Sequence, residues 1–157
     1  MHRSAVDLSL AAESIAARLR DTHPQRRLEF AIRPGLTAFG DARLLEIALT
    51  NLLDNAVKFN RPNGDVYVET TSSDGVAQIT ISDSGIGIPS EDLPRVFERF
   101  YRVDKARSRE MGGTGLGLSI VKHVIEQMGG TVTVASSVGE GSRFTITVPQ
   151  FLGSLVP

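Results

Sequence analysis

"GGTGLGLSIV", the stretch from Gly112 to Val121, begins rich in glycine and continues directly as a predicted helix. Glycine allows backbone N–H groups to approach a ligand closely, and the N–H groups at a helix N-terminus bind phosphate. A P-loop would need Lys and then Ser or Thr after its second glycine, where this sequence has Leu118 and Ser119. A dinucleotide-binding fingerprint would need a preceding strand, where this sequence has the charged run "VDKARSREM". The rest of the chain must therefore identify the ligand.

The composition is that of one ordinary globular domain. The chain has 157 residues, of which 41% are hydrophobic and 22% charged. We assign residues 1–150 to a single domain and set residues 151–157 apart as a tail and candidate vector remnant. A net charge of -1 argues against nucleic acid as a partner, and the absence of cysteine excludes disulfides and thiolate metal sites. With no apolar stretch of membrane-spanning length and no signal peptide, we expect a cytoplasmic domain that makes no membrane contact.

Hydrophobic patterning outside this stretch predicts an α+β fold. The elements do not alternate strictly and several strands are hairpin neighbours, so we expect a two-layer sandwich: a mixed, mostly antiparallel sheet with helices packed on one face. Asp41 is the predicted N-cap of the longest helix. The predicted helices are Val6–Arg20, Asp41–Phe59 and Thr114–Met128, and the predicted strands are Arg26–Ile32, Thr37–Phe39, Val66–Thr71, Val76–Ser82, Thr131–Ala135 and Arg143–Val148.

The connection from Asp83 to Gly113 is unusually long for a compact domain and is rich in Arg and Glu. Only a short helical piece is expected within it, around Asp92–Phe100. Long connections of this kind are commonly functional lids, and the glycines at both ends would serve as hinges. Phe97 and Phe100 are expected to pack the lid against the domain.

Asn51, Asn55 and Lys58 are spaced four and then three residues apart, so they share one face of the long helix. Such a face is commonly just solvated. Asn, however, costs about 0.6 kcal/mol relative to Ala in a helix interior, so two of them suggest a function. Amide oxygens and an ammonium group would suit a magnesium–phosphate unit. Both interpretations stay open from these residues alone.

Asp83 begins "DSGIGIP" directly after the apolar strand "VAQITIS". An Asp followed by glycines is common in ordinary turns. The alternative is a carboxylate in a pocket that accepts a hydrogen bond from a ligand amine, with the glycines allowing the backbone to pass close to a flat ring. The stretch alone does not decide between them.

Taken together and in order, "NLLDNAVKF", "DSGIGIP", "FERFYRVD" and "GGTGLGLSIV" resemble the catalytic and ATP-binding domain of bacterial sensor histidine kinases. This domain has the Bergerat ATP-binding fold and belongs to the superfamily shared with gyrase and MutL. The resemblance covers Val6–Pro149, including the ending "GEGSRFTITVP".

The resemblance implies ATP and Mg²⁺ as cofactors. By it, Asn51 and Arg102 would be catalytic, Asn51 and Asn55 would lie at Mg²⁺, and Asp83 would read the adenine amino group. The residues that would bind the nucleotide are Asn51, Asn55, Lys58, Asp83, Gly85, Gly87, Ile88, Tyr101, Arg102, Lys105, Gly113, Thr114, Gly115, Leu116 and Gly117.

Three activities are compatible with this resemblance: phosphoryl transfer to a histidine, ATP hydrolysis, and non-catalytic nucleotide-dependent regulation. The hydrolases of the superfamily carry a glutamate at the helical position of Asn51, and an amide cannot act as a general base. Glu46 lies five residues earlier on a different helical face. Transfer to a histidine is therefore the favoured activity.

The acceptor histidine is expected on another domain. His2, His23 and His123 are the only histidines, and none has the helical His-Glu context of the family's phosphoacceptor. The expected partner is the dimerisation and phosphoacceptor helical domain of the same kinase, and through it a response regulator. The parent protein is expected to be anchored in the inner membrane.

Overall fold

Residues 2–103 and 116–151 are described by the structure, a computed structural model. Three α-helices, one 3₁₀ turn and seven strands make up this part of the chain. The helices are α1 (Leu8–Thr22), α2 (Ala42–Lys58) and α3 (Gly117–Gln127), the 3₁₀ turn is Leu93–Arg95, and the strands are β1 (Ser4–Asp7), β2 (Arg27–Ala31), β3 (Thr37–Gly40), β4 (Asp65–Ser73), β5 (Val76–Asp83), β6 (Thr131–Ser137) and β7 (Gly141–Pro149).

The main sheet has five strands in the order β2-β4-β5-β7-β6. Only β2 and β4 pair in parallel; the other neighbours are antiparallel. Strands β1 and β3 form a separate two-stranded antiparallel sheet. The three helices cover one face of the main sheet, which confirms the predicted α+β sandwich.

The core lies between α2 and the inner face of this sheet. The apolar stripe of α2 is buried, with Leu45, Leu49 and Leu52 each at most 2% exposed. Strand β4 alternates as a half-buried strand should, with Val66 and Val68 inside. Burial of one such side chain stabilises the fold by about 1.5–3 kcal/mol, so these contacts fix the orientation of α2 on the sheet.

Asp41 caps α2 as predicted, because its carboxylate accepts hydrogen bonds from the N–H groups of Arg43 and Leu44. The predicted start of the first helix was wrong. Residues 4–7 are strand β1, whose partner is β3, and α1 begins at Leu8 with Asp7 as its cap. Val6 fits a helical pattern by spacing, but the pairing with a strand some thirty residues away decides its conformation.

The predicted helical piece at residues 92–100 is shorter than expected, a single 3₁₀ turn at Leu93–Arg95.

The chain stays packed as far as Phe151, whose N–H donates to the Thr37 carbonyl and whose ring stacks on Phe39 with centroids 6.0 Å apart. Across residues 2–103 and 116–151, no helix is both long enough and apolar enough to cross a membrane.

Candidate functional site

Asp83 lies at the carboxyl end of β5, and its carboxylate is held by backbone groups. Its Oδ1 atom accepts hydrogen bonds from the N–H of Gly85 at 2.9 Å and of Ser142 at 3.3 Å. Its Oδ2 atom has no hydrogen-bond partner among the described residues. Burial raises the pKa of Asp83, and the bonds from Gly85 and Ser142 partly oppose that rise. Within the described residues, the carboxylate is therefore fixed through one oxygen and the other is available as an acceptor.

The loop of residues 84–88 after Asp83 runs against the end of α2. The Ile86 N–H donates to the Phe59 carbonyl at 3.1 Å, one residue beyond α2. Gly85 is buried there, and a β-carbon at Gly85 would lie 2.2 Å from the same carbonyl oxygen. Only glycine allows this approach. It brings the Asp83 loop next to the helix that carries Asn51, Asn55 and Lys58.

The turn between β6 and β7 supports the same loop from the other side. A β-carbon on Gly87, whose φ is +75°, would lie 2.1 Å from the Ser137 carbonyl oxygen. The Ser136 hydroxyl accepts the Ile88 N–H at 2.8 Å. Gly141 has a φ of +114°, and a β-carbon there would lie 1.9 Å from the Asp83 carbonyl oxygen. The position of Asp83 thus depends on close backbone approaches at Gly85, Gly87 and Gly141.

Ser136, Gly141 and Ser142 are site-supporting residues that sequence reasoning missed. The stretch "GEGS", Gly139–Ser142, indicates a turn, and nothing local to it shows that the turn holds a carboxylate on another strand. The second glycine of that stretch could have indicated a further role for the turn, since a simple turn needs only one glycine.

The polar face of α2 meets the start of α3. Asn51 is half-buried and its Nδ2 donates to the Ile47 carbonyl at 3.1 Å, which leaves Oδ1 directed away from its own helix. A β-carbon on Gly117 would lie 3.5 Å from that Oδ1 atom. Asn55 is half-buried without a side-chain hydrogen bond to any described residue, and Lys58 is exposed. The Asn51 amide oxygen therefore lies next to the N-terminal end of α3.

Tyr101 has two partners within its own segment. The Tyr101 hydroxyl donates to the Asp92 carboxylate, which raises the pKa of Tyr101, and the Arg95 guanidinium lies 4.5 Å from the centre of the Tyr101 ring. Arg102 is half-buried. Tyr101 is thus directed towards Asp92 and Arg95.

The anchoring expected of the two lid phenylalanines is confirmed for only one of them. Phe97 packs edge-on against Phe144 of the core, with ring centroids 6.2 Å apart. Phe100 is 65% exposed and has a φ of +67°, so the prediction that it anchors the lid was wrong. Buried Val96 is the second anchor of this segment.

Among the remaining predicted residues, Ile88 is half-buried against the core, and Leu116 directly precedes Gly117, the first residue of α3. The helix therefore follows the glycine-rich stretch, as expected. Lys105, Gly113, Thr114 and Gly115 lie outside the described residues, as does most of the glycine stretch itself.

The described part of the site suits an adenine nucleotide. It offers an open carboxylate acceptor at Asp83, glycines where a β-carbon would obstruct the loop, and an amide oxygen at a helix N-terminus. Within the two described ranges there is no cluster of three or more His, Cys, Asp or Glu side chains that could hold a metal ion.

Comparisons with known proteins identify the family of this chain. Residues 40–151 match the family described as histidine kinase-, DNA gyrase B-, and HSP90-like ATPase. The sensor-like histidine kinase SenX3 of Mycolicibacterium smegmatis is 48% identical over 118 residues, covering 74% of this chain and 30% of SenX3. This chain therefore spans less than a third of that relative.

Two solved structures are similar over nearly the whole chain. The mycobacterial sensor histidine kinase MprB matches with a TM-score of 0.83 at 33% identity, covering 95% of this chain and 98% of that one. The ATP-binding domain of PrrB from Mycobacterium tuberculosis matches with a TM-score of 0.76 at 26% identity, again covering 95% and 98%. The chain belongs to the histidine kinase-, DNA gyrase B- and HSP90-like ATPase family, as the catalytic and ATP-binding domain of a sensor histidine kinase.

Proposed function

We propose that this domain binds Mg-ATP and transfers the γ-phosphoryl group to a histidine on the separate dimerisation and phosphoacceptor domain of its kinase. The observation that carries the proposal is the Asp83 carboxylate, whose Oδ1 is held by two backbone N–H groups and whose Oδ2 has no hydrogen-bond partner among the described residues. A carboxylate fixed in this way can accept a hydrogen bond from the amino group of adenine. The naming of SenX3 as a sensor-like histidine kinase and of the PrrB domain as ATP-binding supports it.

The adenine would lie against the loop of residues 84–88. Gly85 and Gly87 pass so close to the carbonyl groups of Phe59 and Ser137 that a β-carbon at either would clash, so a larger residue would displace the loop. An ionised carboxylate only accepts hydrogen bonds, so Asp83 matches the donor at the six-position of adenine. Ile88 would supply the apolar edge of the pocket.

The triphosphate would lie between the polar face of α2 and the start of α3. The N–H groups of the first turn of α3 would bind phosphate oxygens, and Lys58 would offset their charge. Asn51 and Asn55 would present amide oxygens to Mg²⁺, which accepts such ligands while keeping several waters. When bound, Mg²⁺ supplies positive charge that neutralises the phosphate oxygens. Tyr101, Arg102 and Lys105 would reach the nucleotide from the lid, and residues 113–117 would wrap the triphosphate at the start of α3.

Asn51 favours transfer to a protein over hydrolysis. Its amide nitrogen donates to the Ile47 carbonyl, and its oxygen is directed towards Gly117. An amide at this position cannot remove a proton from water. Glu46, five residues earlier on the same helix, accepts a hydrogen bond from Arg18 of α1 instead. Positioning of the phosphate is therefore the role that Asn51 can fill, with Arg102 stabilising the transferred group.

The proposal also implies the partners of the parent protein. The phosphorylated histidine would pass its phosphoryl group to a response regulator, so this domain would contact that protein only indirectly. We place the domain on the cytoplasmic side of the inner membrane, with the membrane anchor elsewhere in the parent kinase.

Incubation with γ-labelled ATP tests the proposed reaction. The chain alone should acquire no acid-labile label, since none of His2, His23 and His123 has an acceptor context. Label should appear on the acceptor-helix domain encoded in the same gene when that domain is supplied, and an acceptor variant lacking its histidine is the control. Acid-labile label on this chain alone would contradict the proposal. Rapid phosphate release without an acceptor would favour hydrolysis.

A further inference from the structure

The side chain of Ser136 lies at the centre of the contacts between the β6–β7 turn and the Asp83 loop. Its Oγ atom lies 2.8 Å from the Ile88 nitrogen, 2.9 Å from the Gly141 carbonyl oxygen and 2.8 Å from Ser142 Oγ. A hydroxyl has one donor and two acceptor positions. These three contacts use all of them: Ser136 accepts from Ile88 and Ser142 and donates to Gly141.

These bonds connect both ends of the Asp83 loop to one turn. Ser142, which is paired opposite Ser136 across the two strands, donates its backbone N–H to Asp83 Oδ1 at 3.3 Å. Ile88 at the other end of the loop donates to Ser136 itself. Hydrogen bonds therefore link Ile88 to Ser136, Ser136 to the Ser142 side chain, and the Ser142 backbone to Asp83.

The Ile88 end of the loop depends on Ser136 more than the Asp83 end does. The middle of the loop is held independently, by bonds from the Ile86 N–H to Phe59 and from the Gly139 N–H to Ile86. The Ile88 N–H has Ser136 Oγ as its hydrogen-bond acceptor, and it follows Gly87, which has no β-carbon and is therefore conformationally permissive. Without the hydroxyl, the backbone at Gly87 and Ile88 would lose its fixed position.

We propose that Ser136 is a positioning residue for nucleotide recognition: its hydroxyl holds Gly87 and Ile88 against the adenine and keeps Ser142 directed at Asp83. This inference rests on the proposed function, because it assigns Ser136 to the base pocket of that site. Ser136 does not itself touch the nucleotide. It acts through Ile88 and Ser142.

The test compares Ser136→Ala with Ser136→Thr, which retains the hydroxyl, and with Ser137→Ala. Ser137 is the matched control because it is adjacent and exposed, and its side chain makes no hydrogen bond to any described residue. In calorimetric titrations, Ser136→Ala should raise the ATP dissociation constant by about threefold to tenfold, the range expected for one lost hydrogen bond. The ratio of ATP to GTP affinity should fall with it. Ser136→Thr and Ser137→Ala should bind as the wild type does.

Amide hydrogen exchange without nucleotide separates positioning from general stability. The Ile88 amide should exchange faster in Ser136→Ala, while the amides of the α2 core keep wild-type protection. Ser136→Cys, with a weaker acceptor of similar size, provides the same comparison if the alanine variant does not fold. Wild-type ATP affinity in Ser136→Ala, or in Ser136→Cys where the alanine variant does not fold, would overturn this inference and leave the proposed function standing. Absence of ATP binding by the wild type would instead overturn the proposed function, and this inference with it.

Discussion

The ionised Asp83 carboxylate destabilises the folded chain, although it is the group proposed to recognise adenine. Its raised pKa reflects this destabilisation. Burial raises the pKa of this carboxyl above the ordinary value of 3.8, against the opposing bonds from Gly85 and Ser142. A carboxyl with a raised pKa in the folded state keeps its proton to higher pH than in the unfolded chain. Stability therefore falls as the pH rises from 3.8 through the raised pKa, and the penalty persists at neutral pH.

Asp83→Asn should remove this penalty while damaging the site. The amide oxygen can still accept the N–H groups of Gly85 and Ser142, but the amide nitrogen would present a donor where adenine also presents one. Relative to the wild type, the variant should gain thermal stability between pH 4 and pH 7 and should lose ATP affinity. Thermal unfolding at the two pH values checks the first part. A variant whose relative stability falls between pH 4 and pH 7 would show that the ionised Asp83 is stabilised by its surroundings.

Asn55 tests the α2 side of the site. Asn55→Asp should raise the Mg-ATP dissociation constant by about tenfold or more, because a new carboxylate facing the triphosphate adds repulsion between like charges. Asp54→Asn is the matched control, since Asp54 is the adjacent exposed residue on another face of α2. Calorimetry on both variants gives the comparison. Wild-type affinity in Asn55→Asp would exclude Asn55 from the phosphate site.

At the scale of secondary structure, the β6–β7 hairpin carries two glycines with positive φ but different surroundings. A β-carbon at Gly139 would meet nothing within 4 Å, whereas one at Gly141 would lie 1.9 Å from the Asp83 carbonyl oxygen. Gly139→Ala should cost about 1 kcal/mol through its left-handed backbone alone. Gly141→Ala should cost more and should also weaken ATP binding, because Asp83 must move. Equal unfolding free energies in urea for the two variants would contradict this account of the hairpin.

Sequence patterns correctly predicted the elements whose conformation is determined by neighbouring residues in the chain. The apolar stripe of α2 and its Asp41 cap lie within a single helix, so spacing and cap preference were sufficient. Strand β1 was missed because residues 4–7 are decided by pairing with β3. The support of Asp83 by Ser136, Gly141 and Ser142 was missed for a similar reason, since 59 residues separate Ser142 from Asp83. Contacts between distant strands leave little trace in local patterns.

At the scale of the whole molecule, the candidate site is assembled from the end of β5, one face of α2, the start of α3 and the β6–β7 turn. The core beneath these elements is continuous, so the polar groups are placed by one packed sandwich. The motif order in the sequence indicated which residues belong together. Their relative positions depend on sheet register and helix packing, which only the folded chain provides.

Calorimetric titration of the wild-type chain with ATP and GTP tests whether this sandwich forms an adenine-nucleotide site around Asp83. Guanine presents a carbonyl oxygen where adenine presents its amino group, so Asp83 would face a second acceptor, at a cost of about 1–3 kcal/mol. ATP should therefore bind at least about tenfold more tightly than GTP. Asp83→Ala should weaken ATP binding and reduce that preference without unfolding the chain. Equal affinity of the wild type for ATP and GTP would mean that Asp83 is only a turn residue, and would contradict the placement of adenine.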